Sequence, residues 1–253
     1  MEFPIEFVIL DKNHVTKLSV NINKIATLRN ARGGDTPNVK QFAIDCQAFG
    51  ADGITVHPRP DERHITYRDT IEIAEIITTE YNIEGYPDER YFDILSQTKP
   101  TQATLVPDGP QVITSCAGWD VMANREHLRT WIERIKQMGI RCSLFIETDK
   151  AQIELAAALG ADRIEFYTGP FAEQYSSSDL KTAVIKEYQE ACKFAMECGL
   201  KINAGHDLNL ENLKFFKAQM PQLDEVSIGH ALISDALYYG IENTIRMYQR
   251  CLD

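Results

Sequence analysis

Apolar and polar positions along this chain follow a repeating unit. A short apolar run ends at a polar turn, and a longer stretch follows in which apolar residues recur at helical spacing. Read this way, the strands fall at 18–22, 53–57, 82–86, 102–106, 141–146, 163–167, 201–204 and 225–228. The helices fall at 39–49, 68–78, 88–97, 124–138, 149–159, 178–198, 210–219 and 231–251, with a polar loop between the first strand and the first helix. Asp149 is placed to cap a helix, and Pro100, Gly160 and Gly199 to end others.

Eight βα units with short links and no Gly/Ser-rich linker predict a parallel sheet, and the count favours closure. The expected fold is α/β, a single-domain (β/α)8 TIM barrel over residues 17–253. The length of 253 residues suits it. Residues 1–16 lie outside the pattern and read as an N-terminal extension. Within it, 3–10 could add a strand or plug one barrel end, or Val15 could mark the native start. One internal echo stands out: residues 49–54 (FGADGI) resemble 159–164 (LGADRI). Duplication and convergence on a good αβ turn explain it equally well.

Charge narrows the function. A net charge of −11 argues against a nucleic-acid surface. Basic residues at strand ends in so acidic a protein point instead to small anionic ligands. The six cysteines, Cys46, Cys116, Cys142, Cys192, Cys198 and Cys251, form no CxxC pair and read as reduced thiols of a cytoplasmic protein. No apolar run reaches the ~18 residues that span a membrane, and no basic start precedes a long apolar run as in a secretory signal.

Three predicted strands run into a histidine: His57, His206 and His230. In a parallel barrel these ends share one rim, where such folds collect their chemistry. His57 alone reads more readily as a structural loop cap than as a general acid or base. Arg59 and His64 in the same loop favour chemistry, whereas Arg63 reads equally as a solvated charge. Glu84 and Glu165 sit in strands, where a carboxylate either faces solvent or serves a site. Gly205 and Gly229 precede histidines where barrels often hold phosphate, though both could simply make turns. Lys24, Arg29 and Arg32, after the first strand, could clamp a phosphate.

Several runs together resemble the pyridoxine 5′-phosphate synthase family: 25–33, 50–57 with Arg59, 63–66 (RHIT), 203–206 (NAGH) and 228–231 (IGHA). The first two are highly specific and the short glycine-histidine runs are not. The likeness extends from about residue 17 to the C-terminus. It implies a (β/α)8 barrel assembled as a homo-octamer, with neither metal nor organic cofactor. It also implies condensation of 1-deoxy-D-xylulose 5-phosphate with 3-amino-2-oxopropyl phosphate to pyridoxine 5′-phosphate, inorganic phosphate and water. By motif, His57, Glu84 and His206 match acid/base residues, and Glu165 matches a carboxylate that stabilises the transition state. Asn21, Arg32, Asp207, Gly229 and His230 match positions around the amino-ketone phosphate. Asn23, Lys24, Arg59, His64 and Thr114 match positions around the pentulose phosphate. The expected partners are small phosphorylated substrates, with no nucleic acid and no membrane.

The chain departs from the family pattern in three places. Residues 21–24 read Asn-Ile-Asn-Lys where many members have Asn-Ile-Asp-His, which would remove a proton-transfer role there. Asp207 stands where glycine is common, and its charge is expected to point away from the site. The extension is also atypical. Two other readings stay open on the residues: a metal-dependent sugar-phosphate isomerase or epimerase using His57, Glu84, His206 and His230 as ligands, and a non-catalytic phosphate-ligand-binding barrel.

Overall fold

A computed structural model describes residues 14–108 and 117–253. Its eight strands are β1 (Lys17–Asn21), β2 (Gly53–Val56), β3 (Glu80–Gly85), β4 (Gln102–Leu105), β5 (Arg141–Ile146), β6 (Arg163–Tyr167), β7 (Lys201–Gly205) and β8 (Glu225–Ile228). All pair in parallel with their sequence neighbours, and β8 returns to β1, closing a (β/α)8 barrel. Between them run α1 (Asn23–Asn30), α2 (Val39–Ala48), α3 (Tyr67–Ala74), α4 (Glu89–Thr98), α5 (Arg125–Gln137), α6 (Lys150–Ala158), α7 (Gly169–Gln174), α8 (Ser178–Glu197) and α9 (Leu213–Gln219), with α10 (His230–Tyr239) and α11 (Ile241–Leu252) at the end.

Strand alternation divides the core in two. Leu18 and Val20, Ile54 and Val56, Ile164 and Phe166, and Val226 and Ile228 are buried in the apolar cluster shared with the helices. The intervening residues are polar and also buried: Ser19, Thr55, Asn82, Thr104, Arg163, Asn203 and Glu225. They bond one another across the strands, as burial requires, with Arg163 Nε left without a hydrogen-bond partner. Ser19 Oγ and Thr55 Oγ1 are 2.7 Å apart, Thr104 donates to Asn82 at 2.9 Å, and Arg163 donates to Asn203 at 2.8 Å.

The echo at 49–54 and 159–164 has a structural cause. In both, a glycine with positive φ (Gly50, Gly160) ends the helix, and an aspartate then joins three strands. The Asp52 carboxylate accepts from Leu18 N and its carbonyl from Glu80 N. Asp162 likewise accepts from Cys142 N and Lys201 N. Asp224 repeats the device in a different sequence, accepting from Ile202 N and Lys17 N. A third copy without sequence likeness favours turn chemistry over duplication.

Three expectations change. The polar loop after the first strand contains α1, whose buried residues are only Ile25, Ala26 and Arg29 and whose N-cap makes no side-chain bond. That weak apolar stripe hid it. The short α7 was not foreseen. The last helix is two helices, because Gly240 at φ 75° breaks the run at residue 240. The strand or plug considered for 3–10 lies outside the described residues; of the extension 14–16 are described, and His14 and Thr16 both bond the Leu223 carbonyl. Among the described residues, no helix is long and apolar enough to cross a membrane.

Candidate active site

At the carboxyl-terminal rim of the barrel a cavity of about 630 Å³ opens. Asn21 ends β1 and lines it, as do Asn23 and Lys24 from the first turn of α1. His57 follows β2, and Arg59 and His64 occupy the loop beyond it. Glu84 comes from β3, Glu165 from β6, His206 and Asp207 from the turn after β7, and Gly229 and His230 from the start of α10. The sequence-predicted residues thus converge, with three exceptions. Arg32 is exposed on the turn after α1 and is not part of the cavity lining. Thr114 lies outside the described residues. Arg29 clamps no ligand here: its guanidinium is bound to the Asp69 carboxylate.

The rim is built by backbone constraints. Asn21 Oδ1 accepts from Asn23 N at 3.1 Å, and Asn23 Oδ1 accepts from His57 N at 2.9 Å. The amide at position 23 therefore acts as an acceptor that fixes the His57 backbone. Two glycines allow close packing: a Cβ on Gly205 would stand 2.2 Å from Glu165 Oε1 and force that side chain to move, and one on Gly229 would make a tight 3.1 Å contact with Asn21 Cβ.

Burial sets the protonation states. Removal from water pushes the Glu84 carboxyl up to about 8, helped by the negative Asp108 and opposed by a hydrogen bond from Asn21. His57 is pulled well below its ordinary value, first by burial and then by the cationic Arg59, with His64, Arg63 and Arg90 adding to it. His64 falls to about 4, from burial first and then from Arg59 and Lys24. Glu165 rises well above the usual carboxylate range through burial, then through Glu84 and Glu225, and its Oε2 is buried without a hydrogen-bond partner. Near neutral pH the rim therefore offers two neutral imidazoles and two protonated carboxyls beside Lys24 and Arg59.

Asp207 corrects an expectation. Its carboxylate turns to His206, with Oδ2 2.6 Å from Nδ1, and does not point away. That hydrogen bond holds its carboxyl below the usual range, against a smaller effect of burial. Sequence reasoning passed over Asp108, which is buried and bonded to Arg59 at 3.1 Å. It also passed over Phe145 and Ser227, which line the cavity. Asp108 follows the fourth strand as His57 follows the second, and that shared placement was a usable signal. Arg63, left open as a solvated charge, lines the cavity as well. Among the described residues no three His, Cys, Asp or Glu side chains group as metal ligands, so His57, Glu84, His206 and His230 do not form one ligand set here.

The class is that of a (β/α)8-barrel protein with titratable and cationic side chains gathered around one cavity at its carboxyl-terminal rim. The chain belongs to the PdxJ family, described as "Pyridoxal phosphate biosynthesis protein PdxJ", whose signature matches residues 18–253. It is 55% identical over 238 residues to "Pyridoxine 5′-phosphate synthase" of Bacteroides thetaiotaomicron, covering 94% of this chain and 100% of that protein. It is 56% identical to the protein of the same name from Phocaeicola vulgatus, covering 94% and 99%. Among solved structures, tryptophan synthase from M. tuberculosis shares the fold at 10% identity, with a TM-score of 0.65 over 95% of both chains. Phosphoribosylanthranilate isomerase from Thermotoga maritima shares it at 12% identity, with a TM-score of 0.57 over 94% of this chain and 98% of that one.

Proposed function

We propose that this chain is a pyridoxine 5′-phosphate synthase. It would join 1-deoxy-D-xylulose 5-phosphate to 3-amino-2-oxopropyl phosphate and release pyridoxine 5′-phosphate, inorganic phosphate and water. The observation that carries this reading, beside the family, is the His57–Glu84 pair, a neutral base and a neutral acid facing one cavity. Imine formation, dehydration and ring closure each need protons moved within a site shielded from water.

In this reading Glu84 donates a proton as the ketone oxygen leaves as water, and the resulting carboxylate later takes one from carbon as the ring becomes aromatic. His57 accepts the proton shed by the attacking amine nitrogen. His206 protonates the departing oxygen of a leaving group, and protonated Glu165 donates a hydrogen bond to charge developing on oxygen. Asn21, the backbone N–H of Asp207, Gly229 and His230 surround the amino-ketone phosphate, while Asn23, Lys24, Arg59 and His64 surround the pentulose phosphate. Arg32 and Thr114 remain part of the expected phosphate-binding set.

The reading includes a cytoplasmic homo-octamer acting on small phosphorylated substrates, with no nucleic-acid or membrane partner and no cofactor. Exposed Leu28 on α1 and Leu237 and Tyr238 on α10 support assembly. The five described cysteines are unpaired, in keeping with a reducing compartment.

The test is turnover by metal-stripped protein given both substrates, reading phosphate and pyridoxine 5′-phosphate together. Both products in equal amounts are expected. Neither product, with divalent-ion-dependent isomerisation of a sugar phosphate, would favour the isomerase-type reading, and tight phosphate-ligand binding without any turnover would favour the binding barrel.

A further inference from the structure

We propose that Asp207 is a positioning residue that fixes the tautomer and orientation of His206. The inference rests on the reading of His206 as an acid–base group. Asp207 Oδ2 lies 2.6 Å from His206 Nδ1. An ionised carboxylate only accepts hydrogen bonds, so Nδ1 carries the hydrogen and Nε2 is the nitrogen left to serve the cavity. The imidazole is held on a second side by the Tyr167 ring, edge-on at 5.2 Å and 73°. Of the charged groups near Asp207, His230 also favours its ionised form.

The backbone sharpens the case. His206 and Asp207 both lie in the left-handed region, at φ 79° and 60°. Side chains bearing a Cβ disfavour it and glycine does not. Two successive strained residues persist only where the surroundings enforce them. Thr168 Oγ1 donates to the carbonyls of Gly205 and His206, and Asn212 Nδ2 donates to the Asp207 carbonyl at 3.1 Å. If position 207 served only to turn the chain, glycine would serve it better. The strained carboxylate is explained by what it does to its neighbour. The arrangement is that of an orienting acid behind a catalytic imidazole, here between consecutive residues.

The experiment compares wild type with Asp207→Gly, Asp207→Ala and Asp207→Asn by ¹⁵N NMR of the His206 ring in ligand-free protein, beside melting temperature and steady-state rates. Wild type is expected to show Nδ1–H with Nε2 unprotonated when the ring is neutral. Asp207→Gly should melt at the same or a higher temperature, lose the single tautomer, and lose on the order of tenfold in kcat with KM little changed. That loss is smaller than the roughly 10²–10⁴-fold contributed by an acid–base group itself. Asp207→Asn brings an amide that can donate to Nδ1 as well as accept from it, so it should hold the ring in place but lose the single tautomer and much of the rate. Asp207→Ala gives the same test without glycine's added backbone freedom. A wild-type tautomer and full rate in both Asp207→Gly and Asp207→Ala would overturn the proposal. The ring spectrum needs no substrate, so wild type that fails to make pyridoxine 5′-phosphate refutes the function while the spectrum still decides the role of Asp207.

Discussion

His57 Nδ1 lies 3.8 Å from Glu84 Oε2, yet the two do not form an ion pair near neutral pH. The separation exceeds a hydrogen bond. Burial lowers the imidazole and raises the carboxyl, so each holds its uncharged form. Each transfer to His57 or from Glu84 therefore creates a charge that burial disfavours, which opposite charge developing on a substrate bound between them would offset.

The pH dependence follows from the carboxyl near 8. If Glu84 starts the cycle as the acid, kcat/KM falls as pH rises through about 8 and the carboxyl ionises. The stability linkage has the same sign. The folded carboxyl keeps its proton while the unfolded one loses it near ~4.3, so this group's contribution declines from there up to about 8. Glu84→Gln should lower kcat by about 10²–10⁴-fold and leave phosphate-ligand affinity within a few fold. A rate profile that rises through pH 8 would show that Glu84 is needed as the base from the outset.

Gly205 and Glu165 test whether the second carboxyl works as a neutral donor. Glu165→Gln keeps an N–H donor and removes the need to hold a proton, so it should retain far more activity than Glu165→Ala. The alanine variant loses the donor and should fall by about 10²–10³-fold in kcat. Gly205→Ala puts a Cβ against Glu165 Oε1 and should displace that side chain. Overpacking of this kind costs about 1–3 kcal/mol, read by urea unfolding, and turnover should drop further than the stability loss alone explains. Equal activity in Glu165→Gln and Glu165→Ala would remove the donor role.

How much of this was legible beforehand depended on which residues carried a local signal. The eight strands were, because their apolar runs end at turns; β5, β6 and β8 begin and end where the pattern places them. The histidines and Glu84 were legible as chemistry because strand ends in a parallel barrel share a rim. Asp108 was legible only by its place after the fourth strand, and its role was not, since that depends on Arg59 across 49 positions of sequence. Arg29 and Arg32 looked alike as loop cations, but only the folded α1 turns one toward Asp69 and leaves the other exposed. The orientation of Asp207 was misjudged because charge alone suggested avoidance of anions, whereas the positive-φ turn aims its carboxylate at His206.

The Arg29–Asp69 pair gives a stability prediction independent of the chemistry. Asp69 bonds the Arg29 guanidinium with both oxygens and accepts from Thr66 N and Oγ1, so one carboxylate joins α1 to the capping box of α3. Both side chains are about nine-tenths buried. Burial raises the carboxyl, but the bonds from Arg29 and Thr66 outweigh it and hold the group below its ordinary value. Its contribution is therefore present above the unfolded value of ~3.9 and is lost as pH falls through the lowered folded one. Asp69→Asn leaves Arg29 without its counter-charge and should cost about 3–5 kcal/mol at pH 7. The gap from wild type should narrow as the medium is acidified below ~3.9. Because α1 carries Asn23 and Lys24 into the cavity, substrate KM should rise as well. Urea melts at pH 7 and in acid measure the first effect and initial rates the second; a pH-independent gap would mean that the carboxylate acts through the helix cap alone.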